Sequence, residues 1–154
     1  MELHIDLSQF TFTSTDPNIT TFDVFFGKKI VIYFYPKDNT PGCTLEGRDF
    51  TALLPEFDAC NAVIIGVSRD SCECHHKFQS KHGLSFLLIS DPDDQLGNTF
   101  KVIKPNSLFA KTFLGIERST FLFDEAGHCR KQWRKVKVKG HAEAVLEAAR
   151  QLSV

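Results

Sequence analysis

Three stretches of the chain are apolar without interruption: KIVIYFY at 29–35, NAVIIGVS at 61–68 and SFLLIS at 85–90. Runs of this length, rich in Val, Ile and Phe, predict strands covered on both faces, the central strands of a sheet. Between them, 43–59 and roughly 71–82 have helical character. The first of these carries Leu45, Phe50, Leu53, Leu54 and Phe57 as its apolar positions. Pro55 is expected to kink or split it, because proline lacks the amide hydrogen and clashes with the preceding turn. Alternation of strand and helix in this order predicts a βαβαβ unit with parallel pairing.

Farther along, RSTFLFDEAGHCRKQWRKV sets two strand-like segments around DEAG, which reads as a β-hairpin. The closing HAEAVLEAARQL puts Val145, Leu146, Ala149 and Leu152 on one helical face. Near the start, FTFTS and the residues up to Gly27 suggest a small added hairpin or edge strand. A βαβα unit followed by a ββα unit is the thioredoxin-like order. The expected fold is therefore α/β, a central mixed β-sheet flanked by helices, with an N-terminal extension. The chain has 154 residues, no internal repeat and no linker, so one domain over 1–154 is expected.

Composition removes several classes of function. Hydrophobic residues make up 42% and charged ones 24%, the balance of a globular protein. Fifteen phenylalanines against one methionine imply a rigid, aromatic interior. A net charge of −1 provides no basic field for nucleic acid or anionic lipid. The basic cluster CRKQWRKVKVK alternates with period two from Gln132 to Lys139, so it reads as a solvated strand face. The start, MELHIDLSQF, lacks the basic-then-apolar pattern of a secretory signal, and no segment reaches membrane-spanning length. Five cysteines without a C-x-x-C pair argue against a secreted disulfide framework and for a reducing, cytoplasmic setting.

The segment PKDNTPGCTLEG, 36–47, carries the candidate chemistry. A cysteine that only packed would sit inside the apolar run before it, not in a turn punctuated by Pro and Gly. Thr40 is a good N-cap, and Pro41 then falls at the first helical position, where its missing hydrogen costs nothing. Cys43 stands where a capping box would have Glu or Gln. Its sulfur is thus expected among unpaired amides at the positive end of the helix dipole, a setting that favours the thiolate. A phosphatase-type loop would need arginine at 49, which is Asp49, and a thioredoxin-type reductase would need cysteine at 46, which is Glu46. No histidine is singled out as a protease base. A solitary activated thiolate remains, suited to attack on a peroxide O–O bond.

The segment YFYPKDNTPGCTLEGRDF resembles the active-site segment of the peroxiredoxins, and its FYPKDNTPGCT wording is similar to the PrxQ or bacterioferritin-comigratory-protein subfamily. Pro36, Thr40 and Cys43 meet the family spacing P-x-x-x-T-x-x-C, and GIERSTFLFDEAG is similar to the family's arginine segment. The resemblance runs from about residue 8 to 150. It implies that Cys43 is the peroxidatic cysteine, that Thr40 hydrogen-bonds to thiolate and peroxide, and that Pro36 shields the pocket. It further implies that Arg118 stabilises the developing charge, with Glu46 as the acceptor that orients it. The implied activity is reduction of hydrogen peroxide and small organic hydroperoxides without cofactor or metal, with thioredoxin or a similar dithiol as reductant, by a monomer. A redox sensor or holdase-like binding protein switched by Cys43 oxidation is the rival reading.

Resolution is where the sequence departs from these relatives. One branch places the resolving cysteine five residues after the peroxidatic one, here Arg48, and another on the next helix, here near Gln79. This chain instead has Cys72 and Cys74 in SCECHHKF, with Cys74 favoured because it lies nearer the position the relatives use. A Cys43–Cys74 bond would require both helix starts to unravel, since a disulfide needs α-carbons about 5.5 Å apart. A one-cysteine enzyme reduced directly by an external thiol is the alternative. Cys72 with His75 or His76 shares a helical face, but the second pair of a structural zinc site is missing. Cys60 reads as packed, and Cys129 as part of the hairpin.

Overall fold

A computed structural model describes residues 4–108 and 111–152. The elements, in chain order, are β1 (Thr13–Ser14), β2 (Lys29–Phe34), α1 (Pro41–Ala52), α2 (Leu54–Ala59), β3 (Ala62–Ser68), α3 (Cys72–His82), β4 (Leu87–Ser90), α4 (Gln95–Thr99), β5 (Ile103–Leu108), β6 (Lys111–Ile116), β7 (Ser119–Phe123), β8 (Cys129–Trp133) and α5 (His141–Gln151). Six strands form one mixed sheet in the order β1-β4-β3-β2-β7-β8. Within it β2, β3 and β4 run parallel, while β7 is antiparallel to β2.

The apolar runs are strands because the sheet is covered on both sides. Val31, Tyr33 and Tyr35 point to one face, where Phe50 of α1, Phe57 of α2, Phe78 of α3 and Val145 of α5 pack. Ile30, Ile32 and Phe34 point to the other, onto Phe10 and Phe22 of the N-terminal segment and Phe100. Edge-on ring contacts such as Phe100–Phe121, with centroids 4.9 Å apart, make this second core the aromatic one. The long first helix is indeed two. It breaks at Leu53, and Pro55 lies in the first turn of α2. At the N-terminus the edge strand forms: Thr13 and Ser14 pair antiparallel with Ser90 and Ile89.

Among the elements not foreseen are α4 and the separate β5–β6 hairpin. The hairpin's strand contains Pro105, lacks two-residue alternation, and leaves Phe113 and Leu114 exposed, so no hydrophobic pattern announces it. The strand face expected over 132–139 is corrected. Strand β8 stops at Trp133, and the remaining basic residues belong to a loop. Two of the cluster's arginines have internal partners: Arg130 reaches Asp124 at 3.2 Å, and Arg134 lies over the Phe121 ring. Among the described residues no helix is long and apolar enough to cross a membrane.

Candidate active site

Strand β2 delivers the chain to the site. Tyr35 continues its register, donating its amide to Val67 O at 3.1 Å, and residues 36–40 then turn into α1. Asn39 takes the left-handed conformation at φ 63°, which asparagine tolerates better than most residues. Thr40 holds the extended N-cap conformation, and its carbonyl accepts the Thr44 amide at 2.9 Å. Its hydroxyl, however, makes no cap. It donates backwards to Lys37 O at 2.7 Å, so the side-chain cap expected from Thr40 is corrected to a backbone one. Pro36 lies exposed in the same loop.

Cys43 sits at the third helical position, only 1% exposed. Arg118 comes to it from the short link between β6 and β7. Its Nη2 donates to Cys43 Sγ at 3.4 Å, and its Nη1 to Glu46 Oε1 at 2.7 Å. Glu46, almost a full turn after Cys43, is as buried as the thiol. The arginine's own backbone is held from two sides, because its carbonyl accepts from Val136 and the neighbouring Glu117 amide donates to Val102 O. Gly42 makes room: a β-carbon there would stand 3.2 Å from Arg118 Nη2. The structure thus brings Cys43, Arg118 and Glu46 into one cluster, with Thr40 and Pro36 in the loop leading to it.

Burial dominates the electrostatics. It pushes the Glu46 carboxyl up to about 7, with Arg118 pulling back only part of that rise. Among the described residues, Glu46 Oε2 and the Tyr33 hydroxyl are buried and find no hydrogen-bond partner. Tyr33 is stacked on Phe50 and raised well above the ordinary tyrosine range by burial and then by Glu46 and Cys43. His141 at the start of α5 is driven down to about 4 by burial and then by Arg118, and its Nε2 meets Thr120 Oγ1 at 2.7 Å. Burial thus disfavours charge on both the carboxyl and the histidine that neighbour the arginine.

The α3 start is a different place. Cys72 is half-buried and Cys74 exposed, and Ser71 caps the helix by accepting the Cys74 amide at 3.2 Å. Arg48 and Gln79 are both engaged. Arg48 donates to His82 Nδ1 at 3.2 Å, and Gln79 donates to Phe86 O at 2.9 Å. The two histidines that share a helical face with Cys72 are engaged elsewhere. His75 Nδ1 and Nε2 meet Asp38 and Ile89 O, while His76 Nε2 meets Thr15 O. Asp38 and His75 are site neighbours that sequence reasoning missed. The available signal was that His75 shares the buried face of α3 with Phe78, three residues on.

A mixed sheet of thioredoxin type with one buried thiol in the first turn of a helix, facing an arginine from the strand link opposite, defines the class: a thioredoxin-fold thiol peroxidase. The sequence matches the AhpC/TSA family over residues 6–132, and the chain belongs to that family. It is 57% identical over 129 residues to the peroxiredoxin Bcp of Xanthomonas campestris, covering 84% of this chain and 81% of that one. With the peroxiredoxin Bcp of Bacillus subtilis it shares 52% identity over 127 residues, 82% of this chain and 81% of the relative. The solved structure of the X. campestris bacterioferritin comigratory protein, studied for alkyl peroxide reduction, superimposes with a TM-score of 0.93 at 47% identity, covering 99% of this chain and 98% of that one. The PrxQ of Xylella fastidiosa gives 0.92 at 40% identity, covering 100% of this chain and 96% of that one. The fold is thioredoxin-like, and the function these relationships support is thiol-dependent peroxidase.

Proposed function

We propose that Cys43 is the peroxidatic residue and that hydrogen peroxide and small organic hydroperoxides are its substrates. The observation that carries this reading is the Arg118 guanidinium, which donates to Cys43 Sγ and Glu46 Oε1 at once. The Sγ thiolate attacks one peroxide oxygen, the O–O bond breaks, and Cys43 becomes a sulfenic acid. The departing oxygen leaves as alkoxide or hydroxide and takes up a proton to give the alcohol or water. Arg118, held by Glu46, stabilises the charge that develops along this path, together with first-turn amides. Thr40 donates to Lys37 O in the resting loop. Its oxygen can accept from the peroxide O–H there, and it must release Lys37 to donate. Pro36 walls the mouth of the pocket.

The sulfenic acid then condenses with a thiol and releases water. We assign that thiol to Cys74, or else to an external thiol acting directly, and the regenerating dithiol to thioredoxin or a similar protein. The chain would work as a single cytoplasmic domain and a monomer. Steady-state consumption of hydrogen peroxide with thioredoxin, thioredoxin reductase and NADPH tests the reading. Many equivalents consumed per chain are expected. Consumption that stops at about one equivalent would instead make the protein a sensor switched by Cys43.

A further inference from the structure

Behind the catalytic loop lies a buried polar network that the chemistry at Cys43 does not itself use. Asp38 falls midway between Pro36 and Thr40, and only 6% of it is exposed. Its Oδ1 accepts from the Tyr35 hydroxyl at 2.6 Å, and its Oδ2 lies 2.7 Å from His75 Nδ1. Its own amide donates to Asp70 Oδ2 at 2.9 Å, an oxygen that Ser68 also reaches at 2.6 Å. On the far side of the imidazole, His75 Nε2 lies 2.9 Å from Ile89 O. A carbonyl only accepts, so Nε2 carries a hydrogen and the ring is bonded at both nitrogens. Asp38, Asp70 and His75 offer ligand atoms within 4.8 Å of one another, but each of those atoms is already hydrogen-bonded inside the protein. The cluster is therefore built to hold chain segments together rather than to receive an ion.

The segments it joins are informative. Tyr35 and Asp38 belong to the passage from β2 into α1, which sets where the first turn of α1, and hence Cys43, stands. His75 belongs to α3, one residue after Cys74 and three after Cys72. Buried polar groups of this kind tolerate no loose partner, because each loses its water on folding. We propose that Tyr35, Asp38 and His75 form a positioning set: they lock the loop 36–40 to the first turn of α3 and thereby hold the Cys43 helix start in register with Arg118. The set also limits how far α3 can unwind from its first residue, because unwinding past Cys74 pulls on His75. This rests on the reading of Cys43 as the peroxidatic thiol.

The two nitrogens of His75 can be tested separately. Asparagine places its amide nitrogen as many bonds from Cα as Nδ1, and glutamine as many as Nε2. His75→Asn keeps a donor toward Asp38 and loses Ile89, whereas His75→Gln keeps Ile89 and loses Asp38. The readouts are the second-order rate of Cys43 oxidation by hydrogen peroxide in single turnover, amide hydrogen exchange in 36–44 and 71–78, and Tm. His75→Asn is expected to stay within about threefold of the unaltered rate, while His75→Gln and Asp38→Ala slow it by roughly 10- to 100-fold, the scale on which a misplaced reacting group is felt. Exchange in 36–44 and 71–78 should rise together in the slow variants and at matched Tm. Equal rates for the Asn and Gln variants would overturn the proposal and leave His75 a core residue of α3. If neither His75 variant folds, Tyr35→Phe decides the matter. It removes one hydroxyl, should raise exchange in 36–44 and slow oxidation about threefold, and an unchanged result in both would be a refutation. Failure of the Cys43 reading itself is distinguishable, since Cys43 of the unaltered chain would then not be oxidised at all.

Discussion

Two helix starts in this molecule carry cysteines, and they are built in opposite ways. At α1 the thiol is 1% exposed and faces a guanidinium, the cap has no side-chain hydrogen bond, and the acid one turn on is as buried as the sulfur. At α3 the cap is a serine hydroxyl, Cys74 is exposed, and the neighbouring ion pair Lys77–Glu73 stands in solvent. The contrast fits the two chemical tasks proposed for Cys43 and Cys74. A thiol that must react quickly with a small, weakly polar oxidant is best held in fixed geometry beside a charge that needs no reorganisation. A thiol that must meet another sulfur, from this chain or from outside, is better placed on a surface where the backbone opens at low cost.

The sharpest way to break that contrast is at Arg118. Arg118→Met should slow the single-turnover reaction with hydrogen peroxide by roughly 100- to 1000-fold, the usual consequence of losing a charge-stabilising donor. A neutral-pH rate within a few-fold of the original would remove the arginine from the site. Glu46 gives the next effect, in stability. Its carboxyl is held at about 7 in the fold against an ordinary 4.5, so the folded state binds the proton more tightly than the unfolded chain does. Its contribution is favourable below pH 4.5 and is lost as pH rises toward and through 7, a swing of about 3 kcal/mol. Glu46→Gln should abolish this swing, gaining that much relative to the parent between pH 4 and pH 8 in urea unfolding. Parallel pH curves for the two proteins would contradict it.

A smaller effect is expected at Gly42. An added β-carbon would stand 3.2 Å from Arg118 Nη2 and push the guanidinium by a few tenths of an ångström. Gly42→Ala should slow peroxide oxidation by on the order of a few-fold with no change of fold. Smallest of all, Cys72→Ser and Cys74→Ser should leave this first step unaltered. Only Cys74→Ser should then alter the second step, stopping the chain at the sulfenic acid if Cys74 resolves. An equal outcome for both serine variants in that second step would shift resolution to an external thiol.

Much of the fold was legible in the amino-acid sequence. Strands β2, β3 and β4 announced themselves because both their faces are buried, and Pro55 announced the break between α1 and α2. The cysteine's setting was legible because its determinants, Thr40, Pro41 and Gly42, are adjacent in the chain. Arg118 was legible only through the family resemblance, since it reaches Cys43 across 75 positions of sequence. The side-chain cap expected of Thr40 did not form because Lys37 O takes its hydroxyl hydrogen, a contact decided by how the loop turns. Asp38 and His75 escaped for the same kind of reason. The spacing of His75 to Phe78 marks its burial, but nothing local names the partners it reaches across the fold.

The central claim is that one thiol of five takes the oxygen. Peptide mapping under non-reducing conditions, after one equivalent of hydrogen peroxide and with a sulfenic-acid trap present, tests it most directly. The trapped or disulfide-bonded residue is expected to be Cys43 in every molecule oxidised, with no oxidation in Cys43→Ser. Oxidation appearing first at Cys60, Cys72, Cys74 or Cys129, or persisting at the original rate in Cys43→Ser, would contradict it.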